Sequence, residues 1–138
     1  MKIKLDEGAK APQRAYPTDA GLDIYSRETK DIIPYGSAVF HTGVHVELPP
    51  NTVGLLMSKS GLHVKQDLTS EGVIDCGFTG EILVKLDNHG EYTAHIQAGQ
   101  KISQLLVVPC LFEPVEIVDE INENTERSSN GIGSTGLF

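Results

Sequence analysis

Gly72-Val73-Ile74-Asp75-Cys76-Gly77-Phe78-Thr79-Gly80-Glu81-Ile82-Leu83-Val84-Lys85-Leu86 is the stretch whose reading decides the fold. A short apolar run leads into a turn framed by Gly77 and Gly80. Ile82, Val84 and Leu86 then alternate with Glu81, Lys85 and Asp87. A period of two is what a strand with one buried face requires, so the stretch predicts a hairpin of strand, turn and strand. The same signature recurs outward in both directions. Ile3 and Leu5 alternate with Lys2 and Lys4, and Val44, Val46 and Leu48 with His45 and Glu47. Leu105 to Val108 form a continuous apolar run, and Val115 and Ile117 flank Glu116. Turn formers such as Pro34-Tyr35-Gly36, Pro49-Pro50-Asn51 and Asn88-His89-Gly90 punctuate these segments. Short strands between turn signals indicate an all-β sandwich or barrel. The one helical candidate is about two turns following Ser60, with Leu62, Val64 and Lys65, opening on a serine of N-cap type.

The chain has 138 residues, 39% hydrophobic and 22% charged, without an internal repeat, which is the composition of one globular domain. Its net charge of −8 argues against binding nucleic acid polymers or anionic membranes, which need clustered Lys and Arg. No apolar run approaches ~18 residues and Met1 to Lys10 has no apolar signal core, so a cytoplasmic protein is expected. The composition divides the chain into a β domain over residues 1–112 and a C-terminal strand with a mobile, glycine-rich arm over 113–138. Residues 113–126 carry six carboxylates and neither Lys nor Arg, so this part needs another surface to order on. Cys76 and Cys110 are too few for a disulfide framework or a zinc cage and read as small core residues. His41 and His45, four apart on a strand, stand about 13 Å from each other, too far to share a metal.

Gly131-Ile132-Gly133-Ser134-Thr135-Gly136 matches the letters of a dinucleotide fingerprint, but only Leu137 and Phe138 follow, so the helix and acidic residue of that motif are missing. What remains is a set of backbone N–H groups and two hydroxyls suited to an anion such as phosphate, or simply a flexible terminus. Ser58-Lys59-Ser60-Gly61 ahead of the helix offers a hydroxyl, a cation and N–H donors, a second phosphate candidate whose plain alternative is an ordinary cap. Asp75 between Ile74 and Cys76, and Asp23 between Leu22 and Ile24, are carboxylates in apolar settings. Two such groups beside phosphate-binding elements could hold Mg2+ and aim a water at phosphorus.

In this order the pieces resemble the homotrimeric deoxyuridine triphosphate nucleotidohydrolase (dUTPase) family. Asp19-Ala20-Gly21-Leu22-Asp23 looks like its first motif, Lys59-Ser60-Gly61 its second and Gly72 through Gly80 its third. Gly99-Gln100-Lys101-Ile102-Ser103-Gln104-Leu105 looks like the fourth, and Arg127 through Gly136 the fifth. The resemblance implies a β-jelly-roll trimer that exchanges its C-terminal arm and uses Mg2+ to convert dUTP to dUMP and pyrophosphate, keeping uracil out of DNA. It implies that Asp75 activates the attacking water and meets the 3′-hydroxyl, that Asp23 organises the metal through water, and that Gln104 is a further catalytic contact. Lys59, Ser60, Gly61 and Thr69 are implied on the substrate. The hairpin backbone of Gly72, Val73, Ile74 and Leu83 would read uracil, and the Phe78 ring would lie under the sugar. Arg127, Gly131, Ile132, Gly133, Ser134 and Thr135 would close over a neighbouring subunit's site.

Four residues depart from the family pattern. Lys59 replaces an Arg fork by a point charge. Phe78 keeps the ring of the usual Tyr without its hydroxyl. Ile132 removes an aromatic that stacks on uracil, a loss of about 1 kcal/mol. Gly77 stands where a carboxylate is frequent and loosens the turn. Two alternatives accompany this reading: a dCTP deaminase-type sister enzyme, and a nucleotide-binding regulatory jelly roll with weak catalysis and a protein partner.

Overall fold

A computed structural model of the chain describes residues 1–132 and 134–136. The alternation at Ile82, Val84 and Leu86 becomes β8 (Glu81–Asn88), whose inward side chains are fully buried while Leu83 and Lys85 face out. The elements before it are β1 (Lys2–Leu5), β2 (Leu22–Tyr25), β3 (Lys30–Ile32), β4 (Ser37–Glu47), β5 (Thr52–Met57), α1 (Ser60–Gln66), β6 (Leu68–Thr69) and β7 (Glu71–Ile74). After it come β9 (Ala94–Ile96) and β10 (Lys101–Pro109). Two four-stranded antiparallel sheets have the orders β1-β4-β8-β6 and β2-β10-β5-β7, and β3 and β9 form a separate two-stranded sheet. One continuous core takes Phe40 and Val44 from β4, Ile82 and Val84 from β8, Ile24 from β2 and Ile102 and Leu105 from β10. No helix among the described residues is long and apolar enough to cross a membrane.

The opening stretch departs from its sequence reading in one respect. β7 and β8 are consecutive strands, but they do not pair with each other: β7 pairs with β5, and β8 with β4 and, at Asp87 and Asn88, with β6. Ile74 and Ile82 both point into the core, from opposite sheets, and the turn from Asp75 to Gly80 carries the chain across. Alternation specifies which face of a strand is buried and says nothing about its partner. The edge of β7 away from β5, and that of β8 from Glu81 to Leu86 away from β4, are left without a ladder partner among the described residues.

Three further expectations change. The strand around Val115 and Ile117 does not form; both residues are exposed, because a lone strand without a partner cannot satisfy its backbone. Ser60 is the first helical residue and the extended Lys59 takes the cap position, with no side chain capping the helix. The cysteines are free and half-buried, Cys76 touching the core edge and donating to the Pro49 carbonyl at 3.3 Å.

Candidate active site

Asp23 lies on β2, 6% exposed, in a strand whose four residues are all buried. A buried carboxylate needs compensating charge. It receives it from Lys101 Nζ at 2.6 Å from Oδ2 and from Lys59 Nζ, which meets Oδ1. Burial alone pushes the carboxyl up, but the hydrogen bonds from Lys101 and Lys59 outweigh it and hold Asp23 below its ordinary pKa. In return the carboxylate holds Lys101 above its own.

Strand register brings these groups together. Asp23 stands opposite Gln104 of β10, which stands opposite Met57 of β5, two residues before Lys59. Gln104 donates through Nε2 to the Ser58 carbonyl at 3.0 Å. Gly21 is required beside it, since a Cβ there would lie 2.5 Å from Gln104 Oε1. Below them a hydroxyl chain fixes both ends of the helical segment: Ser70 N–H donates to Ser58 Oγ at 2.9 Å, and Ser70 Oγ to Ser103 Oγ at 2.9 Å. The first turn of α1 closes on the Lys59 carbonyl through His63 N–H at 2.9 Å, so the N–H groups of Ser60 and Gly61 have no partner within the helix. The result is a cleft of about 440 Å³ lined by Asp19, Asp23, Ser58, Lys59, Lys101 and Gln104, with the cap residue of α1 on its wall. Its charged groups are two ammoniums and two carboxylates, with both ammoniums turned onto Asp23. A larger cavity of about 550 Å³ at the end of α1, among Tyr35, Asp67, His89 and Tyr92, contains none of the anticipated site residues.

The remaining anticipated residues lie elsewhere. Asp75 is exposed at the start of the β7–β8 turn, whose Phe78 N–H donates to the Asp75 carbonyl at 2.9 Å. Counting three strand spacings from Asp23 to β7 and four residues along it puts the two carboxylates roughly 20 Å apart, so one chain does not bring them into one site. Phe78 is half-exposed and packs on Gly80, where a Cβ would meet its ring at 2.6 Å. At Gly77, by contrast, a Cβ would meet nothing within 4 Å, so side chains are admitted there. Val73 and Leu83 are exposed, whereas the Ile74 side chain is in the core and only its backbone is available. Gly72 is half-buried against Leu56. Thr69, on β6, engages His89 Nε2 at 2.8 Å and does not line the cleft. Arg127, Gly131, Ile132, Ser134 and Thr135 are exposed on the tail, Arg127 donating to the Asn130 carbonyl at 3.2 Å; Gly133 lies outside the described residues.

Lys101 is the functional candidate that sequence reasoning passed over. A lysine opening a strand reads as a solvated end; the only available signal was its place three residues before Gln104, itself opposite Asp23. Among the described residues no three His, Cys, Asp or Glu side chains group as metal ligands. Asp23 is the one carboxylate within the cleft's ion-pair cluster, already shared by two lysines. Such a donor set suits a Mg2+ that arrives on phosphate oxygens rather than one held in an all-protein cage.

This arrangement agrees with what the chain is similar to. The family model described as dUTPase matches residues 7–136. A deoxyuridine 5'-triphosphate nucleotidohydrolase of Clostridium tetani is 41% identical, the match covering 99% of this chain and 96% of that one. One of Alkaliphilus metalliredigens is 40% identical over 99% and 97%. Among solved structures, Staphylococcus bacteriophage 80alpha dUTPase with dUPNHPP superposes with a TM-score of 0.92 at 32% identity, over 99% of this chain and 98% of that chain. The family match runs over nearly the whole chain, and residues of the first, second and fourth motifs meet at one cleft of this fold: the chain belongs to the dUTPase family.

Proposed function

We propose that this protein is a dUTP diphosphatase, converting dUTP and water to dUMP and pyrophosphate. The observation that carries the reading is the cleft in which Asp23, Lys59, Lys101 and Gln104 meet the start of α1, in a chain matched over residues 7–136 to the dUTPase family. Lys59, with the N–H groups of Ser60 and Gly61, takes the phosphates, and Gln104 adds a polar contact. Asp75 accepts a proton from the attacking water as its oxygen bonds to the α-phosphorus. The bond from that phosphorus to the bridging oxygen breaks, and pyrophosphate leaves with the electron pair. Mg2+ bound to the triphosphate, and to Asp23 through water, would neutralise the charge that develops on the leaving group.

The roughly 20 Å between Asp23 and Asp75 supports a site built from several copies, because carboxylate and phosphate cleft must meet at one substrate. We therefore read the active form as a homotrimer with sites at subunit interfaces. Residues 1–112 form the catalytic jelly roll, and the tail from 113 onward crosses to a neighbour. The exposed Leu111, Phe112, Val115, Ile117 and Ile121 supply an apolar strip for that crossing. Arg127, with Gly131 to Thr135, then lies over the terminal phosphate. Uracil is read by the unpaired edges of β7 and β8, with Phe78 under a sugar lacking a 2′-hydroxyl. The compartment of this reaction is the cytoplasm. The test is pyrophosphate release from each deoxynucleoside triphosphate and from UTP, with and without Mg2+. Release from dUTP alone, dependent on the metal, is expected; equal release from dCTP or UTP would overturn the reading.

A further inference from the structure

β4 and β8 do not run in simple register. His41 stands opposite Leu83 and His45 opposite Glu81, so four residues of β4 face two of β8. The extra residues form a bulge at Gly43, with φ +66. Bulges re-aim side chains. Here Gly43 N–H donates to Glu81 Oε1 at 2.7 Å, and Asp6 N–H to the Gly43 carbonyl at 2.9 Å. His45 is thereby set between the end of β1 and the Asp75–Gly80 turn. Its Nε2 lies 3.2 Å from Asp6 Oδ1, and its Nδ1 lies 3.1 Å from the Thr79 carbonyl oxygen.

Both partners are acceptors, a carboxylate and a carbonyl, and the ring spans the gap between them. We propose that His45 is a positioning residue whose ring holds the turn bearing Asp75 and Phe78 to the end of β1. Removing the ring lets the turn move. Thr79 directly follows Phe78, so the sugar platform loosens first and the effect falls on substrate binding. The charged groups around the ring are Asp6, Glu81 and Lys4, the last two being its register neighbours on β8 and β1. Arg27 Nη1 lies 3.5 Å from Asp6 Oδ2, and His41 Nδ1 is 2.8 Å from Glu81 Oε2.

The proposal rests on the dUTPase reading, and its test separates the two. Amide hydrogen exchange over residues 75–80 of the full chain, without substrate, reports the turn independently of activity, and steady-state dUTP hydrolysis reports the consequence. In His45→Ala the turn should exchange faster, and KM for dUTP should rise about fivefold with kcat and melting temperature little changed. His45→Gln, which can still meet one of the two acceptors, should fall between that variant and the wild type. Unchanged exchange or an unchanged KM in His45→Ala, or a loss of kcat and melting temperature in step with KM, would overturn the proposal. Absence of dUTP hydrolysis in the wild type would instead overturn the functional reading.

Discussion

The cleft around Asp23 and the turn around Asp75 are built in opposite ways. At the cleft, burial, two ion pairs and a hydroxyl chain settle every side chain within one subunit. At the turn, Asp75 is exposed, Phe78 is half out, and the strands on either side leave their facing edges bare. The first region is finished by folding; the second has the look of half an interface. Stability and activity should therefore separate when the two are perturbed.

The largest effect belongs to the turn. Asp75→Asn should lower kcat for dUTP about 10³-fold, as loss of a general base does, while the melting temperature stays where it was. Equal melting and near-normal turnover would show that the exposed region is not catalytic. Deletion of residues 127–138 should follow, with kcat/KM falling roughly 10- to 100-fold and again no change in melting, since none of the described residues among them belongs to the core.

The cleft should behave in the reverse sense. Asp23→Asn removes the charge that two lysines share and should cost about 1–3 kcal/mol, seen as a melting shift of several degrees. Its pH dependence has a definite sign. The folded pKa of Asp23 lies below the unfolded one, so the unfolded chain binds the extra proton; this stability is complete above about pH 4 and fades as the pH falls through the folded value. Acid melts below about pH 4 should be shallower in the variant than in the wild type. Gly21→Ala is the smallest test: displacing Gln104 from the Ser58 carbonyl should cost about 0.5–1 kcal/mol, seen as a melting shift smaller than that of Asp23→Asn.

Residue patterns carried the local structure well, and failed where structure depends on what lies across space. Ile82, Val84 and Leu86 declared β8 because a period of two with one buried face has no other use. Leu62 likewise anchors the short helix. The same logic could not say that β7 belongs with β5, since Gly77 and Gly80 would serve a paired hairpin equally well. Val115 and Ile117 alternate like a strand, yet alternation does not supply a partner. Asp23 was legible as a carboxylate among apolar neighbours; Lys101 was not, because the bond that recruits it spans 78 positions of sequence.

The bare edges of β7 and β8 also bear on solubility. Unpaired strand edges recruit strands from other molecules and seed ordered aggregates. In this chain the hazard is small: β7 has only four residues, and the charged Glu71 and Lys85 project to solvent beside the opening. A planar base seated between the edges would occupy the same donors and acceptors. The gap that selects a nucleotide is then also the place where an empty protein is most exposed to its own copies, and substrate should act as its chaperone.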